Sequence, residues 1–239
     1  MNAKKYCEWA KHYDPDYIEL KYLSENGVDF DKKKVLEVGC GTGRFTQRIT
    51  PFVSELMGID PDVNAIKICQ RLQQDNIKIQ LGTLETTLVP QNHYDYVVFS
   101  WSMYMIDEKE KNIRLAYASL RPGGKMIILQ ANSGEFEEEV SKLYSHYSSL
   151  DVYGNACEAL SIILHKVFDN VHEGTIVTSF LFDSIDQVIN NSLFFIEDEE
   201  GITPSTQSIT QFENNLKKYC AADGKIKMTD IVSVFIATK

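Results

Sequence analysis

A chain of 239 residues with 44% hydrophobic and 24% charged side chains has the size and composition of one large folded domain, or one domain with an added subdomain, which excludes a peptide scaffold, a disordered chain and a fibrous repeat. Its 24 Lys and Arg face 34 Asp and Glu, a formal net charge of −10, so most of its surface repels a phosphate backbone and nucleic acid is not an expected partner. All of that excess lies late in the chain: residues 1–130 hold 17 acidic and 17 basic side chains, residues 131–239 hold 17 and 7.

Short β-rich runs alternate with longer helical patterns, which predicts an α/β fold with a parallel sheet covered on both faces, a doubly wound arrangement. Val35 to Val38 reads as a buried strand ending in a glycine turn, and Arg44 to Thr50 as a helix stopped by Pro51. Glu55 to Ile59 forms the next strand and runs into Asp60-Pro61-Asp62, where Asp60 is placed to cap a helix with an apolar stripe of Val63, Ile66, Ile68 and Leu72. Ile77 to Leu81 alternates as a strand, Tyr94 to Trp101 is a buried strand, and Asp107 to Leu120 is an amphipathic helix broken by Arg121-Pro122-Gly123-Gly124. Lys125 to Leu129 is a fifth strand, and a boundary near residue 131 coincides with the shift in charge. Beyond it, helices are expected over Glu135 to Leu150, Asn155 to Phe168, Ser184 to Phe195 and Ser205 to Tyr219, with strands over Thr175 to Phe182 and Asp230 to Thr238. This is a helical insertion built around two returning strands. No linker interrupts it, so residues 1–239 read as a single domain.

No apolar run approaches the roughly 18 residues that span a bilayer, and the first residues lack the apolar core of a secretory signal, which predicts a cytoplasmic protein without a membrane partner. Cys7, Cys40, Cys69, Cys157 and Cys220 form no C-x-x-C pair and no Cys/His ligand spacing, so reduced thiols and no structural metal are expected.

Glu37-Val38-Gly39-Cys40-Gly41-Thr42-Gly43 sets three glycines at alternate positions between a strand and a helix, where the backbone must turn sharply and its N–H groups are expected to lie free beside a ligand. Asp60 follows at the carboxyl end of the next strand, a position from which a carboxylate accepts the hydroxyl hydrogens of an adenosine ribose. A dinucleotide fingerprint needs a small residue where this chain has Arg44, which disfavours NAD.

The run Val35 to Gly43 followed by Gly58-Ile59-Asp60 resembles the class I S-adenosylmethionine (SAM) dependent methyltransferases. Gly82-Thr83-Leu84-Glu85, Tyr94 to Ser100 and Leu120-Arg121-Pro122-Gly123-Gly124-Lys125 are similar to that family's later motifs, and Trp9-Ala10-Lys11-His12-Tyr13-Asp14 to the W-A-x-x-Y-D helix of many of its small-molecule enzymes. The resemblance implies seven strands in the order 3-2-1-4-5-7-6 with the seventh antiparallel. It also implies an N-terminal helical lid over 1–30, a SAM-binding core over 31–130, a substrate-covering insertion over 131–230 and a last strand over 230–239. It places Glu37, Gly39, Cys40, Gly41 and Gly43 along the methionine part of SAM, Asp60 and Pro61 at the ribose, and Thr83, Leu84 and Glu85 at the adenine. Ser100 falls at the sulfonium and Tyr13 close to the cofactor. Thr83 departs from the usual Asp, so the adenine amino group is left to the backbone or Glu85.

Tyr104 and Tyr13 are the candidates for catalysis, and Trp101 and Tyr104 for substrate contact; each reads equally as a packed aromatic. The acidic runs Glu135 to Glu139 and Glu197 to Glu200 read most simply as solvated faces, although negative charge over a substrate site favours a cationic acceptor. The implied activity is methyl transfer from SAM, leaving S-adenosylhomocysteine, to an oxygen or nitrogen of a small molecule. A non-catalytic SAM-binding sensor or partner protein, and an RNA or protein methyltransferase, are the alternatives.

Overall fold

The computed structural model describes residues 2–143, 149–199 and 203–239. One sheet of seven strands runs in the order β3-β2-β1-β4-β5-β7-β6. The strands are β1 Lys34–Val38, β2 Glu55–Asp60, β3 Ile77–Leu81, β4 Tyr94–Ser100, β5 Leu120–Gly134, β6 Asn170–Phe182 and β7 Ile226–Thr238. The first five are mutually parallel, and β7 lies antiparallel between β5 and β6. Every residue of β4 is buried, which is why its middle, residues 96–99, is continuously apolar instead of alternating: helices cover both faces of a parallel sheet.

The side chains of the central strands alternate between two cores. Val35, Tyr96, Val98, Ile127 and Leu129 point to one, which they share with Trp9, Leu23, Phe45, Ile49, Phe136 and Phe212. Leu36, Val38, Val97, Phe99, Met126 and Ile128 point to the other, with Ile113, Ala116, Leu160 and Leu164. The first face thus carries α1 Ala3–Ala10, α2 Ile18–Glu25, α3 Thr46–Ile49, α4 Val63–Cys69, α6 Glu135–Ser141, α8 Ile185–Glu199 and α9 Thr206–Leu216; the second carries α5 Lys109–Ser119 and α7 Ser149–Val167.

The departures from the sequence reading have physical causes. Helix α3 starts at Thr46 and not at Arg44, because Arg44 reaches out of the turn to a buried ion pair with Glu19. Strands β6 and β7 begin before their apolar runs, since the unbroken register from Asn170↔Thr238 to Phe182↔Ile226 is set by backbone pairing, and the outer residues of an edge strand need no apolar pattern. Asp62 caps α4, accepting from the N–H groups of Asn64 at 2.7 Å and Ala65 at 3.2 Å; the capping role read for Asp60 belongs to it. Of the helix expected over Glu135 to Leu150, α6 accounts for the part to Ser141, and residues 144–148 lie outside the described residues.

The chain leaves β1 for β2 and β3 on one side and returns to β4 on the other. At such a reversal the loops after the two central strands diverge and open a crevice beyond their carboxyl ends. Here those loops are the glycine bend after β1 and Trp101 to Met105 after β4.

Candidate active site

The crevice is a cavity of about 670 Å³, within the range of small-molecule sites. Glu37, Gly39, Cys40, Gly41, Asp60, Pro61, Thr83, Leu84, Glu85, Ser100, Trp101 and Tyr104 all line it. The structure brings these sequence candidates together around one space. Gly43 and Tyr13 are not among the lining residues.

The bend is shaped by close approach. Gly39 has φ 76°, and a Cβ there would lie 2.3 Å from the Cβ of Ser102, whose hydroxyl donates to the Val38 carbonyl at 2.6 Å. Gly41 has φ 54° and open space where its Cβ would be, so a ligand can approach its backbone. Gly43 serves packing instead of contact with a ligand: its Cβ would meet Leu72 at 2.7 Å and the Cys69 sulfur at 3.0 Å.

The N–H groups of the bend are committed, contrary to the expectation that they lie free. Gly39 and Cys40 donate to the Ile59 carbonyl at 2.8 and 3.1 Å, and Gly43 to that of Cys40 at 2.9 Å. Gly41 donates to Asp60 Oδ2 at 2.9 Å. The bend therefore offers room beside a carboxylate rather than a nest of donors. A pyrophosphate needs donors; a nucleoside bearing positive charge and ribose hydroxyls does not.

Asp60 also accepts the Asp62 N–H at Oδ1, 2.8 Å away. Each oxygen keeps a further acceptor position, which fits the pair of hydroxyls on a ribose. Burial raises its pKa, and the N–H bonds from Asp62 and Gly41 lower it. Glu37 accepts the Thr46 hydroxyl at 2.7 Å, and burial pushes its carboxyl up to about 8, against the lowering effect of Thr46 and Arg44. A buried carboxyl on the cavity wall suits an ammonium ligand, the kind of group an amino-acid portion of SAM presents. Leu84 is buried and Glu85 exposed; Glu85 accepts Asn112 Nδ2 at 3.1 Å. The carboxyl groups of Glu37, Asp60, Asp62, Glu85, Asp107, Glu108 and Glu137 line the cavity against the single guanidinium of Arg44 among the described residues.

Behind the wall lies a buried charge network that the sequence did not signal. Glu19, fully buried, accepts from Arg44 Nη1 at 2.6 Å, from the Trp101 indole N–H at 3.1 Å and from the Tyr13 hydroxyl at 3.1 Å. Arg44 Nη2 donates to Ser100 Oγ at 2.6 Å, and its guanidinium stacks 4.8 Å from the Tyr13 ring centroid. Tyr13 Oη also accepts from Thr178 at 3.1 Å, and burial raises its pKa well above the ordinary value, with Glu19 and Asp230 adding to the shift. The Tyr13 phenol is held between Glu19 and Thr178 and is not among the residues lining the cavity, and the aromatic side chains that α1 does present to it are Tyr6 and Trp9. Trp101 has φ 57°, a strained conformation for a bulky residue of the kind that gathers at binding sites. Tyr104, 38% exposed, lies at the rim.

The run from Glu135 to Glu139 is not a solvated face. Glu135 accepts from the backbone and hydroxyl of Thr229, both at 2.8 Å. Glu139 is buried and accepts from Lys142 and Lys218, both at 2.7 Å. Glu138 is exposed, whereas Glu137 lines the cavity beside Phe136, Trp9 and Phe180. The side chains of the second acidic run lie outside the described residues. No helix among the described residues is long and apolar enough to cross a membrane, and none of their His, Cys, Asp and Glu side chains form a group able to hold a metal.

The model of a methyltransferase-domain family matches residues 10–161, well over half of the chain. The chain is 27% identical over 137 residues to the ubiquinone/menaquinone biosynthesis C-methyltransferase UbiE of Wigglesworthia glossinidia brevipalpis, covering 54% of this chain and 53% of that one. It spans about half the length of the curated relatives it matches. Among solved structures it resembles YcgJ of Bacillus subtilis, with a TM-score of 0.58 at 14% identity over 92% of this chain and 97% of the other. It also resembles phosphoethanolamine N-methyltransferase 2 of Haemonchus contortus in complex with SAM, with a TM-score of 0.55 at 17% identity over 92% and 51%. With the strand order and the glycine bend already in hand, the chain belongs to the methyltransferase-domain family, as a class I methyltransferase.

Proposed function

We propose that the protein transfers a methyl group from SAM to an oxygen or nitrogen of a small molecule, releasing S-adenosylhomocysteine. The observation that carries this reading is the glycine bend fused to Asp60 along one side of a cavity that continues past Ser100 to an aromatic end. Asp60 would hold the ribose, Thr83 to Glu85 the adenine, and Glu37 the amino group of the methionine portion. When bound, SAM supplies an electrophilic methyl group on its sulfonium. What the chain must add is alignment of the acceptor and exclusion of water, which together can lower a barrier by roughly 7–11 kcal/mol. Trp101, fixed by its bond to Glu19, and the aromatic wall of Trp9, Phe136 and Phe180 supply both.

The acceptor is not carried over from the relatives. Phe180 lies beyond the matched residues 10–161, and the name of the UbiE relatives describes a carbon acceptor of those proteins. A cavity rich in carboxylates, on a chain of net charge −10, argues against a polyanion such as RNA. Calorimetric titration with SAM and S-adenosylhomocysteine tests the cofactor half. Incubation with methyl-labelled SAM and a metabolite extract tests the rest: label in the small-molecule fraction is expected, and binding without transfer would mark a sensor instead of an enzyme.

A further inference from the structure

At and behind the inner end of the cavity lie two carboxyl groups that form no ion pair among the described residues. Glu137 lines the cavity, and its Oε2 is buried with no hydrogen-bond partner. Behind it Asp230 is fully buried, and among the described residues no side chain hydrogen-bonds to its carboxyl oxygens. The room for it comes from Gly134, its rung partner in the sheet, where a Cβ would fall 2.8 Å from Asp230 Oδ1. Its other rung partner, Thr178, donates to Tyr13, so Asp230 shares the sheet face that underlies the cavity.

The neighbouring ions do not neutralise this pair. Arg44 is engaged by Glu19, and Arg48 by Asp14 and Glu19. Lys142 and Lys218 are engaged by Glu139. A buried carboxyl oxygen without a protein partner is costly unless a ligand or a proton satisfies it. The wall around them is aromatic: Trp9, Trp101, Phe136 and Phe180, the faces of which attract cations.

Building on the methyltransferase reading, we propose that the acceptor is an amine that enters as its ammonium form, with Glu137 as its carboxylate partner and the aromatic wall packing the remainder. Glu137 takes one proton from the ammonium, and the freed nitrogen lone pair forms the new N–C bond as the C–S bond breaks and its electron pair returns to sulfur. The proton held by Glu137 then leaves to solvent. Burial pushes the Glu137 carboxyl up to about 7, so it can exchange a proton near neutrality. Glu137 is the largest charge acting to raise Asp230, on which Glu19 acts in the same sense and Arg44 in the opposite one, and Asp230 in turn raises Tyr13.

The test uses three probes of one size: 2-phenylethylamine, 2-phenylethanol and phenylacetate, titrated into the protein saturated with S-adenosylhomocysteine. Expected is binding of the amine at least tenfold tighter than the alcohol, with the acid weakest, and collapse of the amine preference in Glu137→Gln. Saturation with S-adenosylhomocysteine checks that the variant is folded. Equal affinity for amine and alcohol in the unaltered protein overturns the proposal and needs no variant. A preference that persists in Glu137→Gln overturns the role of that residue. Failure of S-adenosylhomocysteine itself to bind is a different result, and removes the methyltransferase reading.

Discussion

Gly39→Ala tests the steric reading of the bend in one substitution. Two costs are separable. The backbone at φ 76° disfavours any L-residue by roughly 1–2 kcal/mol. The new methyl group would sit 2.3 Å from Ser102 Cβ and 2.8 Å from its Oγ, and overpacking of this kind costs roughly 1–3 kcal/mol. Displacing Ser102 also breaks its 2.6 Å bond to Val38, for about 1 kcal/mol more. The total, roughly 3–6 kcal/mol, is a large part of the ~5–15 kcal/mol that holds a typical domain together. Urea denaturation of Gly39→Ala in the unaltered and Ser102→Gly backgrounds separates them. Without the Ser102 side chain only the conformational cost remains, so the penalty should fall to about 1–2 kcal/mol. An equal penalty in both backgrounds would refute the steric account and leave backbone conformation alone as the reason for glycine.

Asp60→Ala should weaken S-adenosylhomocysteine at least tenfold in calorimetry, because each charge-assisted hydrogen bond contributes roughly 1.5–3 kcal/mol. Tyr13→Phe should lower stability by about 1 kcal/mol and leave the nucleoside dissociation constant nearly unchanged, whereas a catalytic phenol would reveal itself in turnover alone. Arg44→Met removes the closer of the two guanidinium groups beside Glu19, 0% exposed at its side chain, and should destabilise the fold by up to roughly 3–5 kcal/mol in a denaturant titration. For Glu37, raised from 4.5 to about 8, the folded form holds a proton that the unfolded chain releases, so its contribution is fullest at low pH and is lost as pH rises from about 5 through 8, at up to ~1.4 kcal/mol per unit. Melting curves of Glu37→Gln and the unaltered protein should therefore diverge in favour of the variant as pH increases, and parallel curves would contradict the buried-carboxyl assignment.

The bend was legible because its requirement is local. Gly39, Gly41 and Gly43 follow a buried strand directly, and Asp60 ends the next one, so nearest neighbours in the sheet place them together. Strand order was legible through family resemblance, and the core through alternation, since adjacent residues of β1, β4 and β5 face different cores. Hydrogen bonds were less so. Nothing in the glycine spacing shows that Ile59 and Asp60 absorb the N–H groups of the bend, and the choice between Asp60 and Asp62 as cap depends on a turn of two residues. Tyr13 fits the family's helix pattern, yet its hydroxyl is drawn inward by Glu19 and Thr178, partners that lie 6 and 165 positions away.

The acceptor end resisted sequence reading because it is assembled across nearly the whole chain. Trp9 comes from α1, Glu137 from α6, Phe180 from β6 and Asp230 from β7, and only the antiparallel register Gly134↔Asp230↔Thr178 sets the last three elements against one another. Within the acidic run, charge pattern alone makes the four glutamates equivalent. The fold then separates them: Glu135 binds Thr229, Glu139 binds two lysines, Glu138 faces solvent, and Glu137 turns to the cavity. A run of like charge that reads as a solubility device can thus place one member on the cavity, and what distinguishes it is a buried carboxyl oxygen with no partner among the described residues. The residues proposed to hold the cofactor sit at adjacent strand ends, whereas those proposed to hold the acceptor meet only through the tertiary fold.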